Sequence, residues 1–410
     1  DRSSTRNQCV ALVPQYESYH VQKWMRMSSE RRAKVDPAES LRMVSRGMQA
    51  NGVNQFVPPQ EKHTKQNWDL LAQYFEAYKD ALGEVQGILN EMKPKDNTVI
   101  VMVSNFGQSE LLVNFVCAAQ KRDLDTSQVL VFATDLETKA LAESLGLRAY
   151  YDERNFGDMP SEAAGHYGDR RFTAMMMAKV ICVQLVSALH YNLLFQDVDI
   201  VWYKHPLEYF QSPDKMGDSD FDVFFQDDGG HSTRYAPYSA NSGFYYVKHN
   251  DRTQYFLTSL LLAGDLILKT DSHQQALIAL LSEHVSLYGL KVKIMSRDTP
   301  EFPGGYHYHQ ASKRYMKSFF AKEVDPYIFH MSWTKNKDNK LLFFQQMGDW
   351  YVNEQCVHQK VDDVAIDDGG TFVSTCCSAE ALIECHYRDK PSIVQCKSSP
   401  PIDKGHGSWW

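Results

Sequence analysis

From residue 97 onward, apolar runs alternate with amphipathic stretches in a regular order. NTVIVMVSN (97–105) is a β-branched run that ends in a polar turn, and its sequel predicts a helix over about 108–121. VLVFATD (129–135) reads as a second buried strand, LETKALAESLG (136–146) as a helix closed by Gly146, and LRAYYDE (147–153) as a third strand. A helix over 172–190 then leads into YNLLFQDVDIVWY (191–203), read as one buried strand with two carboxylates at its end. Strands separated by helices of about 10–15 residues predict an α/β fold, with a mostly parallel sheet covered on both faces. Ligands of such sheets sit beyond the carboxyl ends of the strands. Ser104, Asn105, Asp135, Asp197, Val198 and Asp199 would therefore line one crevice.

The preceding residues, 1–95, are charged and helix-prone. In NWDLLAQYFEAYKDALGEVQGILNEM (67–92), Trp68, Leu71, Tyr74, Phe75, Tyr78 and Leu82 form a stripe, expected to pack on the following domain. Lys93-Pro94 stops this helix, and the Gly, Asn and Pro of NGVNQFVPPQ (51–60) mark a loop before it. Three parts result: a helical lead-in (1–95), a catalytic domain (96–355) and a cysteine-rich tail (356–410).

Composition changes this picture in two places. The 410 residues carry 43 Lys+Arg against 51 Asp+Glu, net −8, and no basic excess exists with which to grip a nucleic acid. Five of the eight cysteines (Cys356, Cys376, Cys377, Cys385, Cys396) crowd into a polar tail without a C-x-x-C pair, which favours disulfides and an oxidising compartment over a zinc site. One of the five must pair outside the tail or stay free. The longest apolar stretch (174–195) is interrupted by Lys179, Gln184 and His190, so no membrane span is expected. A chain opening on Asp1 with no signal-like segment is what a trimmed lumenal part of a type II membrane protein would look like, its anchor missing.

Asp197 and Asp199 hold the chemistry. Carboxylates directly after an apolar strand are costly unless compensated, and a hard divalent cation would compensate them. Two chemistries fit LLFQDVDIV: phosphoryl transfer of the haloacid-dehalogenase kind, and glycosyl transfer from a nucleotide-sugar. The first places its Asp pair on the first strand of its domain, whereas three strands come earlier here. Further along lie FDVFFQDDGG (221–230), SANSGFYYVKHN (239–250), DSHQQALIALLSE (271–283), FPGGYHYHQ (302–310) and YIFHMSWTKNKDNKLLFFQQMGDW (327–350). With FQDVDIVWYKHP (195–206), NSGFYYVK (241–248), the Gln-rich helix start and the late His-x-x-Trp in shared order, residues 97–350 resemble glycosyltransferase family 77. These are Asp-x-Asp nucleotide-diphospho-sugar transferases of GT-A fold.

The resemblance implies a retaining, metal-dependent enzyme. It would move a sugar from a UDP-galactose, UDP-xylose or UDP-arabinose class donor to a hydroxyl of a glycan or glycoprotein, in the Golgi lumen. Asp197, Asp199 and His330 would hold Mn²⁺ or Mg²⁺. Val103, Ser104, Asn105, Asp135, Lys179, Gln196, Asp197, Val198, Asn241, Ser242, Gly243 and Trp333 would contact the nucleotide or donor sugar. Lys335 or Lys337 would neutralise the leaving diphosphate, the family spacing landing on neither alone, with Gln274, Gln275 and Asp271 as groups on the β-face of the sugar. The family's Asp-Gln pair is replaced here by Asp271-Ser272-His273-Gln274-Gln275, which leaves open whether an enzyme nucleophile exists; Asp271 also reads as a helix N-cap. A non-catalytic sugar- or nucleotide-binding relative and a phosphatase are the alternatives.

Overall fold

A computed structural model describes residues 10–14, 22–27, 41–45, 59–164, 170–216, 220–230, 235, 238–298, 300–310, 314–334, 336–366 and 368–382. Within the lead-in, β1 (Val10–Pro14), β2 (Gln22–Met27) and β3 (Leu41–Ser45) form an antiparallel sheet of their own. This departs from the helical expectation for that part of residues 1–95. The runs are five or six residues long, too short for a helical stripe, and strand pairing satisfies their backbone groups instead.

Helix α1 (Glu61–Met92) follows as expected and ends at Lys93, which adopts a left-handed conformation before Pro94. Its buried face overlaps the expected stripe only in part: Tyr74 is buried and Leu71, Tyr78 and Leu82 pack against the core, but Trp68 and Phe75 do not. Tyr74, Ala77, Ala81, Val85 and Leu89 are buried, whereas Trp68 is 72% and Phe75 50% exposed. Two alanines at this spacing let the helix backbone approach the domain closely, which a row of bulky rings would prevent. The Tyr74 hydroxyl donates to Gln184 Oε1 at 2.5 Å, and Asn67 Nδ2 donates to the Leu262 carbonyl.

The central sheet has seven strands: β4 (Thr98–Ser104), β5 (Val129–Ala133), β6 (Arg148–Tyr150), β7 (Asn192–Gln196), β9 (Val223–Asp227), β10 (Ala240–Val247) and β11 (Val292–Ile294). The order is β11-β9-β10-β7-β4-β5-β6, with only β10 antiparallel to its neighbours. Because β10 runs backwards, its first residues lie at the edge where β4, β5, β7 and β9 end. A second, two-stranded sheet pairs β8 (Ile200–Trp202) with β12 (Ile328–His330).

Strand β4 displays the period of two that feeds both cores. Ile100 and Met102 join one apolar cluster with α2 (Ser109–Lys121) and α3 (Leu136–Ser144). Val99, Val101 and Val103 join the other, with α1, α4 (Arg170–Ala188), α5 (Asp251–Leu262), α6 (Gly264–Thr270) and α7 (His273–Tyr288). This is the α/β, GT-A-like layering expected, a mixed and mostly parallel sheet with helices on both faces.

The tail is cross-linked, as its composition favoured. Cys356 pairs with Cys376, and Cys377 reaches Cys117 in α2, 260 residues away in sequence. Trp350, Tyr351, Val352 and Cys356 are buried against the same face. Cys182 is a buried free thiol; Cys9, Cys385 and Cys396 lie outside the described residues. No helix among the described residues is long and apolar enough to cross a membrane.

Candidate functional site

The strand expected over 191–203 is two strands in two sheets. At the end of β7 the Asp197 backbone N–H donates to the Gly243 carbonyl of β10 at 2.7 Å, and the chain turns. It re-enters strand at Ile200, which pairs with His330 of β12. The Gln196 side chain braces the corner by accepting from the Trp202 indole at 2.9 Å. Asp197 and Asp199 therefore occupy a corner between sheets, where both carboxylates can turn to the same side.

That corner brings the predicted triad together: one donor atom each of Asp197, Asp199 and His330 lie within 4.8 Å of one another. His330 Nε2 is 3.5 Å from Asp199 Oδ1 and 4.0 Å from Asp197 Oδ2. On the far side of the ring, Nδ1 is 2.7 Å from Gln226 Oε1. The Gln226 amide nitrogen donates to the Phe302 and Pro303 carbonyls at 2.9 and 3.0 Å, so its oxygen must face the imidazole. His330 Nδ1 is thereby the donor to Gln226, and Nε2 is the ring nitrogen that faces the two carboxylates. Two carboxylates and an imidazole lone pair suit a divalent cation.

Two lysines flank this cluster. Lys179 Nζ lies 2.5 Å from Asp197 Oδ1, and Lys340 Nζ lies 2.7 Å from Asp199 Oδ2. Burial, the largest single influence, would push the Asp199 carboxyl up, but Lys340 and His330 together outweigh it and hold Asp199 well below the usual carboxylate range. Burial likewise pulls Lys340 down, and Asp199 more than restores it. Lys340 was not among the residues expected from sequence; it sits three positions after Lys337 on α8 (Lys337–Met347).

Next to the triad, the start of β10 meets the first turn of α7. Asn241 Oδ1 accepts from the Gly243 N–H at 2.7 Å, and Gln274 Oε1 accepts from both the Ser242 N–H and hydroxyl at 3.0 and 3.1 Å. Asn241 Nδ2 donates to Asp228 Oδ1 at 2.8 Å, and Gln274 and Trp333 also hydrogen-bond Asp228. Asp228 thus gathers three predicted residues from β10, α7 and the loop after β12, although in the sequence it is only the second of two aspartates after an apolar run. Burial raises its carboxyl to about 6, against the lowering effect of those three donors. The sign follows: an acid with a raised folded pKa favours the folded state below its unfolded value and loses that advantage as pH rises to the folded one. Between pH 4 and 6, stability should fall by roughly 2 kcal/mol relative to an Asp228→Asn variant. Parallel denaturant titrations of the two proteins at pH 4, 5, 6 and 7 measure this, and parallel curves would refute it.

The remaining predicted residues divide. Ser104 and Asn105 end β4, but the Asn105 amide nitrogen donates to the Pro160 and Glu162 carbonyls and so holds that segment in place. Asp135 caps α3, accepting from the Thr138 N–H at 2.7 Å and the Phe106 N–H at 2.8 Å. Val103 and Val198 are buried in the apolar clusters, and Gln275 is buried in α7. Asp271 is exposed in a left-handed conformation at the end of α6, and Ser272 rather than Asp271 is the N-cap of α7. A backbone already left-handed cannot supply the extended geometry of an N-cap. Lys337 is paired with the buried Glu110 at 3.0 Å, and Lys335 lies outside the described residues.

A model of the nucleotide-diphospho-sugar transferase family matches residues 125–344. Curated relatives include a UDP-galactose:fucoside alpha-3-galactosyltransferase of Dictyostelium discoideum, 24% identical over 63% of this chain and 44% of its own. A beta-arabinofuranosyltransferase of Arabidopsis thaliana is 27% identical over 42% of this chain and 30% of its own. The chain thus spans less than half the length of these relatives. Among solved structures, mouse xyloside xylosyltransferase 1 aligns over 57% of this chain and 97% of that one, at 9% identity and a TM-score of 0.34.

Proposed function

The chain belongs to the nucleotide-diphospho-sugar transferases, and from that premise we propose that it transfers a sugar from a UDP-sugar to a hydroxyl of a glycan or glycoprotein, with retention at the anomeric carbon. The observation that carries this reading is the convergence of Asp197, Asp199 and the oriented Nε2 of His330 beside two lysines. Mn²⁺ or Mg²⁺ would be held by these three side chains. When bound, such a cation supplies Lewis-acid and electrostatic stabilisation of the departing diphosphate.

The chain's own groups do the rest. Lys179 and Lys340 offset the carboxylates and stand ready to face the phosphate oxygens. Asn241, Gln274, Trp333 and Asp228 form a hydrogen-bonded wall suited to sugar hydroxyls. The acceptor hydroxyl attacks the anomeric carbon from the face the diphosphate leaves, its proton passes to the departing phosphate oxygen, and UDP is released. No enzyme nucleophile is needed, in keeping with the exposed position of Asp271. The galactosyl- and arabinofuranosyltransferase relatives support a galactose or arabinose donor. The paired cysteines support a lumenal setting such as the Golgi.

Thermal unfolding with Mn²⁺ and UDP together tests the site directly. Ligand at a hundredfold its Kd should add about 2.7 kcal/mol of stability, and chelation should abolish the gain. An unchanged midpoint at millimolar UDP and Mn²⁺ overturns the assignment. Slow hydrolysis of a UDP-sugar without acceptor then separates an enzyme from a binding-only relative.

A further inference from the structure

Lys337 stands at the first position of α8, where the helix dipole disfavours a cation. Its ammonium is nonetheless nearly buried, 3.1 and 3.0 Å from the two oxygens of Glu110. Glu110 is itself fully buried in the first turn of α2, where it also meets the Ser109 hydroxyl and the imidazole of His358 from the cross-linked tail. A buried ion pair of this kind is a poor source of net stability, since desolvating both groups offsets their attraction. It does fix geometry. The same helix places Lys340 one turn beyond Lys337, and Lys340 meets Asp199. The first turn of α8 is therefore clamped at two points, by a carboxylate of the core and by a carboxylate of the proposed cation site. Cys117, seven residues after Glu110 on α2, is bonded to Cys377, so the tail braces α2 on both sides of the clamp.

We propose that Glu110 is a positioning residue for the anion end of the site: acting through Lys337, it sets the first turn of α8 so that Lys340 lies against Asp199 and the incoming diphosphate. This rests on the transferase reading above. Glu110 touches no reacting atom, and its effect must pass through Lys340.

A double-mutant cycle on UDP binding, measured by titration calorimetry in Mn²⁺, reads the coupling. Glu110→Gln and Lys340→Met should each weaken UDP about tenfold, and the double variant should be little worse than either alone. Because Glu110→Gln leaves Lys337 buried without its partner, the charge-balanced pair Glu110→Gln/Lys337→Met is measured too. It should show the same loss while its thermal midpoint stays near that of the wild type. Additive losses, or wild-type UDP affinity in the charge-balanced pair, overturn the positioning role. A wild-type protein that binds no UDP overturns the transferase reading instead, so the two failures are distinguishable.

Discussion

Replacing Asp199 by alanine is expected to lower sugar transfer by about a thousandfold or more, with the sheet still folded. A site cation is worth several kcal/mol of charge stabilisation in the transition state, and each 1.36 kcal/mol is a decade in rate. Asp199 is the group through which that contribution passes. It is buried, it faces His330 Nε2 at 3.5 Å, and its backbone carbonyl is tied to the Met331 N–H, so the side chain has little freedom to be replaced by another ligand. Its loss also leaves the Lys340 ammonium buried without a counter-charge. Asp199→Asn keeps the shape but withdraws the charge; it should be nearly as inactive and, because Lys340 again loses its counter-charge, should unfold below the wild-type midpoint. The measurements are donor hydrolysis, transfer to acceptor, and Mn²⁺ affinity by calorimetry. Full activity in either variant would sink the site assignment; lost activity with unchanged Mn²⁺ affinity would move Asp199 from cation ligand to another role.

How much of this was legible beforehand depended on whether the signal was local. The β-branched runs of β4 and β5 and the helices after them were readable because burial on both faces leaves a continuous apolar string. The Asp pair was readable because charge after such a string demands compensation. What periodicity could not convey was the break at Gln196: LLFQDVDIVWY looks like one strand, and only a partner 130 positions away, His330 against Ile200, divides it. The stripe of α1 was right for Leu71, Tyr74, Tyr78 and Leu82 but not for Trp68 and Phe75, because Ala77 and Ala81 carry little apolar weight yet centre the close-packed face. Lys340 and Asp228 were hidden in plain composition. A lysine one turn into a helix and a second aspartate in an acidic turn are ordinary surface features, and only the tertiary fold aims them at Asp199 and at Asn241, Gln274 and Trp333. Lys337, by contrast, was a candidate for facing the phosphates only by its place after the late His-x-x-Trp, and the buried Glu110 occupies it.

Gly243→Ala should cost between about a hundredfold and a thousandfold in kcat/KM for the donor, because the added methyl lands inside the cation cradle. A Cβ at this position would sit 2.6 Å from Asp197 Oδ2 and 2.7 Å from His330 Cε1, far inside van der Waals contact. The backbone has no room to retreat. The Gly243 N–H is bonded to Asn241 Oδ1, and its carbonyl accepts from the Asp197 N–H, both at 2.7 Å. Strain must therefore be relieved by the two ligands parting, and a displacement of about 1 Å at a reacting centre is enough for a hundredfold loss. Overpacking of this kind typically costs about 1–3 kcal/mol of stability, so the variant should still fold. Glycine at this position thus serves the approach of two protein ligands to each other, a closer role than the contact with donor sugar that the NSG segment alone implied. Mn²⁺ affinity should fall together with kcat/KM. If transfer is instead unimpaired, the Asp197–His330 spacing is not what the reaction uses, and the cation would have to be held by Asp199 and groups on its other side.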